Sequence, residues 1–131
     1  MPTFAYTILY VPDVAAAIDF YERAFGLPCT FIAPDGSYGE LSTGATTLSF
    51  ASESLAESNL PGGFTVARPS EKPYAVEIGF ATDDVPATVA TAIAAGATLL
   101  AEPNTKPWGQ VVAYVRDPNG FLVEVCTPMG G

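Results

Sequence analysis

The chain has 131 residues, one domain's length, and 49% of them are hydrophobic, which excludes a disordered protein. Fourteen acids against five bases leave a net charge of −9, which argues against nucleic acid or an anionic membrane surface as partner. That balance suits either plain solvation or the attraction of a cationic ligand.

Residues 4–11 alternate as a strand, with Thr7, Leu9 and Val11 on one side and Tyr6, Ile8 and Tyr10 on the other. Pro12 ends it, and Asp13 is placed to cap a helix whose Val14, Ile18, Tyr21 and Phe25 recur at helical spacing up to Gly26. Strands follow over 29–33, 38–42 and 46–52, separated by the turn chemistry of Pro34-Asp35-Gly36 and Thr43-Gly44. Residues 53–73 are rich in Ser, Glu, Asn, Pro and Gly. They read either as a plain connection or as a flap that closes Phe64 over a pocket.

The pattern then repeats. A strand over 75–81 leads to Asp84, a helix over about 85–95, and Gly96. Strands follow around 97–101, over 110–116 and over 121–127, the last two joined by the hairpin turn Asp117-Pro118-Asn119-Gly120. The organisation is therefore one domain over 1–131, built from a βαβββ module at 1–52, a connection at 53–73 and a second βαβββ module at 74–131. The expected fold class is α+β. Aligning Asp13 with Asp84 makes Tyr6 the counterpart of Glu77. In the strand from Ala75, Val76, Ile78 and Phe80 form a bulky face, whereas Ala75, Glu77 and Gly79 form one with small residues around a carboxylate.

Asp13-Val14, Phe20-Tyr21 and Phe25-Gly26-Leu27, followed by Pro107-Trp108-Gly109-Gln110, Asp117-Pro118-Asn119-Gly120 and Glu124, resemble the opening and closing signatures of one family. It is the vicinal oxygen chelate superfamily of glyoxalases, extradiol dioxygenases, fosfomycin-modifying thiol transferases and bleomycin resistance proteins. The resemblance implies the glyoxalase/bleomycin resistance fold, a curled, partly open eight-stranded mixed sheet around a cavity, and a homodimer. It also implies that four inward positions, here Tyr6, Ser49, Glu77 and Glu124, stand where the enzymes of the family hold a divalent metal. The chain has no histidine, and Tyr and Ser replace two of the strong ligands such a site needs. No cofactor is therefore expected, and a divalent metal, if present, would be held weakly by Glu77 and Glu124 alone.

Without metal, Glu77 and Glu124 read either as carboxylates satisfied by local hydrogen bonds, or as ligand-binding and proton-transferring groups. Trp108, the sole tryptophan, reads either as a core residue or as the border of a groove, as a Pro-Trp-Gly segment does in the bleomycin resistance branch. With Tyr6, Tyr10 and Phe64 it would form an aromatic wall for a planar or cationic molecule. Cys29 and Cys126 are too few and too far apart to suggest a disulfide framework, and Cys126 reads as a packing residue. The expected function is sequestration of a cationic or planar organic compound, in the manner of antibiotic resistance proteins. The alternative is a glyoxalase-like lyase or isomerase, or a related dioxygenase-type enzyme, acting through Glu77 and Glu124 with a weakly held divalent metal. The apolar runs are too short for a spanning helix, and Met1-Pro2-Thr3 does not begin a signal peptide, so a cytoplasmic location is the default expectation.

Overall fold

The structure is a computed structural model that describes residues 1–129. Its elements run β1 (Tyr6–Val11), α1 (Val14–Phe25), β2 (Cys29–Ile32), β3 (Tyr38–Ser42), β4 (Thr47–Ser52), α2 (Glu53–Asn59), β5 (Glu77–Ala81), α3 (Val85–Ala95), β6 (Thr98–Thr105), β7 (Val111–Arg116) and β8 (Leu122–Cys126). The eight strands form two four-stranded mixed sheets, ordered β1-β4-β3-β2 and β5-β8-β7-β6. Two compact units contain them: Met1–Glu22 with Gly26–Val66, and Arg23–Phe25 with the chain from Ala67 onward.

In the first unit β1 runs parallel to β4, a pairing that a short turn cannot make, so the chain leaves β1 through a helix. That helix starts where the Asp13 carboxylate accepts from the Ala16 amide at 3.1 Å, and stops at Gly26 in the left-handed region. Its buried side chains include Val14, Ile18 and Tyr21, and Tyr21 lies against Phe50 of β4 with ring centres 5.4 Å apart. Val14 and Ile18 pack directly over Gly39 of β3, where even a methyl group would require the end of the Ile18 side chain to move. Leu9, Val11, Leu41, Leu48 and Phe50 complete this core. The second unit repeats the plan. β5 runs parallel to β8, Asp84 accepts from the Ala87 amide at 3.1 Å, and α3 lies over β6, β7 and β8. Val85, Val89, Val115, Val123 and Val125 are buried there.

Two elements depart from the sequence expectation. The connection at 53–73 opens with α2, whose Leu55 amide donates to Ser52 Oγ at 3.1 Å and whose first turn holds Glu53, a favourable charge for a helix N-terminus. Its cap and the buried Ala56 were outweighed, in composition, by the polar residues around them. β6 continues to Thr105, not to about 101, passing through Pro103 with register irregularities between Leu99 and Ala101 and between Ala101 and Asn104. It is an edge strand, where a missing amide costs no ladder bond. No helix among the described residues is long and apolar enough to cross a membrane.

The hairpin between β7 and β8 is pinned by Arg116. Its guanidinium donates to the carbonyls of Gly120 (2.8 Å), Pro69 (3.1 Å) and Arg68 (3.2 Å). The buried Asp117 carboxylate accepts from the amides of Asn119 and Phe121, each at 2.9 Å. Gly120 has φ 97°, and a methyl group there would stand 2.6 Å from the Arg68 backbone. Gly120→Ala is therefore expected to cost at least about 2 kcal/mol in urea denaturation, since strained φ and a backbone clash add. Gly36→Ala, with φ 73° and open space around it, should cost roughly 1 kcal/mol. Equal losses would contradict this account of the hairpin.

Candidate functional site

Each sheet buries one face under its helix, and strand alternation assigns the other face. In the first unit Ile8, Ser49 and Glu40 are successive partners across β1, β4 and β3, so they share a face with Tyr6, Tyr10 and Tyr38. Tyr6 is exposed and Ser49 is fully buried. The Tyr38 hydroxyl donates to Glu40 Oε2 at 2.7 Å and lies 3.1 Å from Ser49 Oγ. A phenol has one proton, so the Ser49 hydroxyl supplies the proton of the second bond. Burial raises the Tyr38 pKa above its ordinary value, while the Ser49 bond works against this. Tyr10 and Phe64 meet edge to face at 4.9 Å.

In the second unit Gly79, Glu124 and Tyr114 are successive partners, placing Glu124 on the face of Glu77. Tyr114 donates to Glu124 Oε1 at 3.2 Å. Burial, then the bond to Glu124, raises the Tyr114 pKa. Partial desolvation, then the charge of Glu124, raises that of Glu77, although Glu77 remains exposed at the start of its strand. The Cys126 thiol is pushed up by burial and then by Glu124, so it is a poor nucleophile, and its sulfur points to the Phe80 carbonyl at 3.7 Å.

Trp108 is not a core residue. It is 63% exposed at the tip of the β6–β7 hairpin. Gly109 donates to the Lys106 carbonyl, and Lys106 to the Gln110 carbonyl, both at 2.8 Å, with Gly109 at φ 93° closing the turn. The indole Nε1 donates to Gln110 Oε1 at 2.9 Å, and Gln110 Nε2 donates to the Thr127 carbonyl at 2.9 Å. Trp108, Gly109, Gln110 and Thr127 line a half-open groove of about 560 Å³ together with Asp83, Val111, Pro128 and Met129. Ligand pockets commonly have volumes in this range.

The sequence-predicted residues are thus brought together in part. Glu77 and Glu124 share one face, and Tyr10 meets Phe64. Trp108 does not join Glu77. Glu77 pairs with Leu122 at the start of β8, whereas the groove adjoins Thr127 beyond its end. The ladder between Glu77 and Ala81 alone rises roughly 13 Å. Two carboxylates escaped the sequence reading. Glu40 was signalled by its alternation against the buried Gly39 and Leu41. Asp83 was signalled by the doubled Asp83-Asp84, of which only Asp84 caps the helix.

The profile of the family described as Glyoxalase/Bleomycin resistance protein/Dioxygenase superfamily matches residues 3–125. The chain belongs to this superfamily. A glyoxalase-related enzyme from Fulvimarina pelagi is 21% identical, with a TM-score of 0.83 over 98% of this chain and 89% of that one. A glyoxalase/bleomycin resistance protein/dioxygenase family enzyme from Burkholderia phytofirmans PsJN is 24% identical, with a TM-score of 0.78 over 94% and 96%. A lactoylglutathione lyase from Agrobacterium tumefaciens is 23% identical, with a TM-score of 0.72 over 100% and 98%. At such identities the likeness of the structures is one of fold alone. No curated protein matches the chain.

Taken unit by unit, this chain presents few donors of the kind a divalent metal prefers. Its first unit presents Tyr6 and a Ser49 hydroxyl already bonded to Tyr38, and its second only two carboxylates. Among the described residues no group of three or more His, Cys, Asp or Glu side chains is placed to hold a metal ion.

The Glu77 shift has a stability consequence. Its carboxyl binds a proton more tightly folded than unfolded, so its contribution is fully present below the unfolded pKa and is lost as pH rises through the folded one. Glu77→Gln should therefore raise the melting temperature near pH 7 by up to roughly 2 °C, a gain that vanishes below the ordinary Glu range. A variant destabilised at pH 7 would contradict this sign.

Proposed function

We propose that this protein binds a small organic molecule of planar or cationic character, without a strongly held metal. The carrying observation is the groove of about 560 Å³ fronted by the exposed Trp108, lined by a carboxylate that has no partner among the described residues and by no basic residue. An indole face and a carboxylate attract the same class of molecule, because both stabilise positive charge. The net charge of −9 adds a long-range attraction for a cation. The role that follows is sequestration, as in the bleomycin resistance branch of the superfamily.

A second reading has its own support. The Glu77 carboxyl, raised by desolvation and by the neighbouring charge of Glu124, is suited to proton exchange. On this reading the protein is a glyoxalase-like lyase or isomerase with Glu77 and Glu124 as its catalytic groups, aided at most by a weakly held divalent metal.

Two measurements separate the readings. Melting temperatures with a panel of cationic aromatic compounds should rise with concentration, whereas Mn²⁺, Ni²⁺ and Zn²⁺ should give no shift and dialysed protein should hold no stoichiometric metal. One tightly held metal per chain would overturn the binder reading. For the enzyme reading, Glu124→Gln should abolish turnover of an α-oxoaldehyde hemithioacetal while leaving the fold intact.

A further inference from the structure

We infer that Asp83 is the charge anchor of the Trp108 groove, and that Gln110 is the residue that positions its indole. This deepens the binding function proposed above and rests on it. The groove lies beyond the β5–β8 ladder, so a molecule stacked on Trp108 meets Asp83 before it meets Glu77. Asp84, the next residue, is spent on capping α3, through the Ala87 amide at 3.1 Å. The Asp83 side chain makes no hydrogen bond or ion pair with any described residue, although it lines the groove. Its oxygens are therefore available to a ligand. None of the groove's lining residues is basic.

Gln110 lines the groove and is held at both ends of its amide. One end accepts from the Trp108 indole, and the other donates to the Thr127 carbonyl, each at 2.9 Å. Thr127 is itself fixed to Val111, its hydroxyl accepting from the Val111 amide at 3.0 Å and its own amide donating to the Val111 carbonyl at 3.0 Å. An exposed indole on a hairpin tip would otherwise sample several rotamers, and freezing it on binding would cost affinity. Gln110 removes much of that cost in advance. Its bond to Nε1 lies in the ring plane, so the faces of the indole stay free for stacking. The ligand class that fits is a planar aromatic ring system bearing a protonated amine or amidine, with the ring on Trp108 and the cation toward Asp83.

Isothermal titration of the full chain with proflavine, a planar cation, tests the anchor. Saturable binding is expected, and anilinonaphthalene sulfonate, a planar anion, should bind at least roughly tenfold more weakly. Asp83→Asn should weaken proflavine roughly fivefold and Trp108→Ala more than roughly tenfold. Glu102→Gln, the same change of charge on the exposed β6, should stay within roughly twofold. Binding left unchanged by both Asp83→Asn and Trp108→Ala would overturn the groove assignment while leaving the protein a binder. An absence of binding by proflavine and by every cation of the panel would overturn the proposed function itself.

The positioning role is read without ligand, because Trp108 is the only tryptophan. Gln110→Leu should lower its fluorescence anisotropy and raise its quenching by acrylamide, with unchanged circular dichroism. Gln110→Ser provides the same reading should the leucine variant fail to fold. Anisotropy equal to that of the parent in a folded variant would remove Gln110 from the assignment.

Discussion

A parallel strand pair cannot be joined by a tight turn, and that constraint governs both halves of this molecule. β1 lies beside β4, and β5 beside β8, each pair separated in sequence by a helix and two antiparallel strands. The crossover helix covers one face of its sheet with Val14, Ile18 and Tyr21, or with Val85 and Val89. It leaves the other face to the side chains of opposite parity. Tyr6, Glu40 and Ser49 in one unit, and Glu77, Tyr114 and Glu124 in the other, face away from the helix because of this pairing, not because of any local preference of their own.

Much of this was legible in the chain. Asp13 and Asp84 announced the helices, Gly26 ended the first, and Asp117-Pro118-Asn119-Gly120 turned the last hairpin, because each acts through bonds to its immediate neighbours. Alternation also gave the correct parity for Tyr6 and Glu77. What stayed hidden depended on partners distant in sequence. The length of β6 is set by β7 alongside it, and Pro103 argued locally against it. The association of Glu40 with Ser49 arises from a register that no local pattern states. The location of Trp108, away from Glu77, follows from where the strands begin and end.

Each sheet face keeps the frame of the superfamily while its polar side chains serve one another. Ser49, at a wall position of the first sheet, is buried and bonded to a phenol. Tyr114 spends its proton on Glu124. These bonds satisfy polar groups within the sheet faces and leave the more available chemistry at the margin, where Trp108 is exposed and Asp83 has no partner among the described residues. A stable scaffold with its recognition groups on a hairpin tip is a common division of labour, since tips accept substitution without disturbing the core.

The irregular outer strand β6 has a consequence for association between molecules. A long, flat, uncovered strand invites another chain to add to the sheet, the first step toward fibrous aggregates. β6 is the outer strand and exposed along its whole length, yet it carries Pro103 and two breaks in register, so a neighbouring strand would find a missing donor and a shifting pleat. The arm that presents Trp108 is thereby guarded against edge-to-edge growth by the same irregularities that concealed its length.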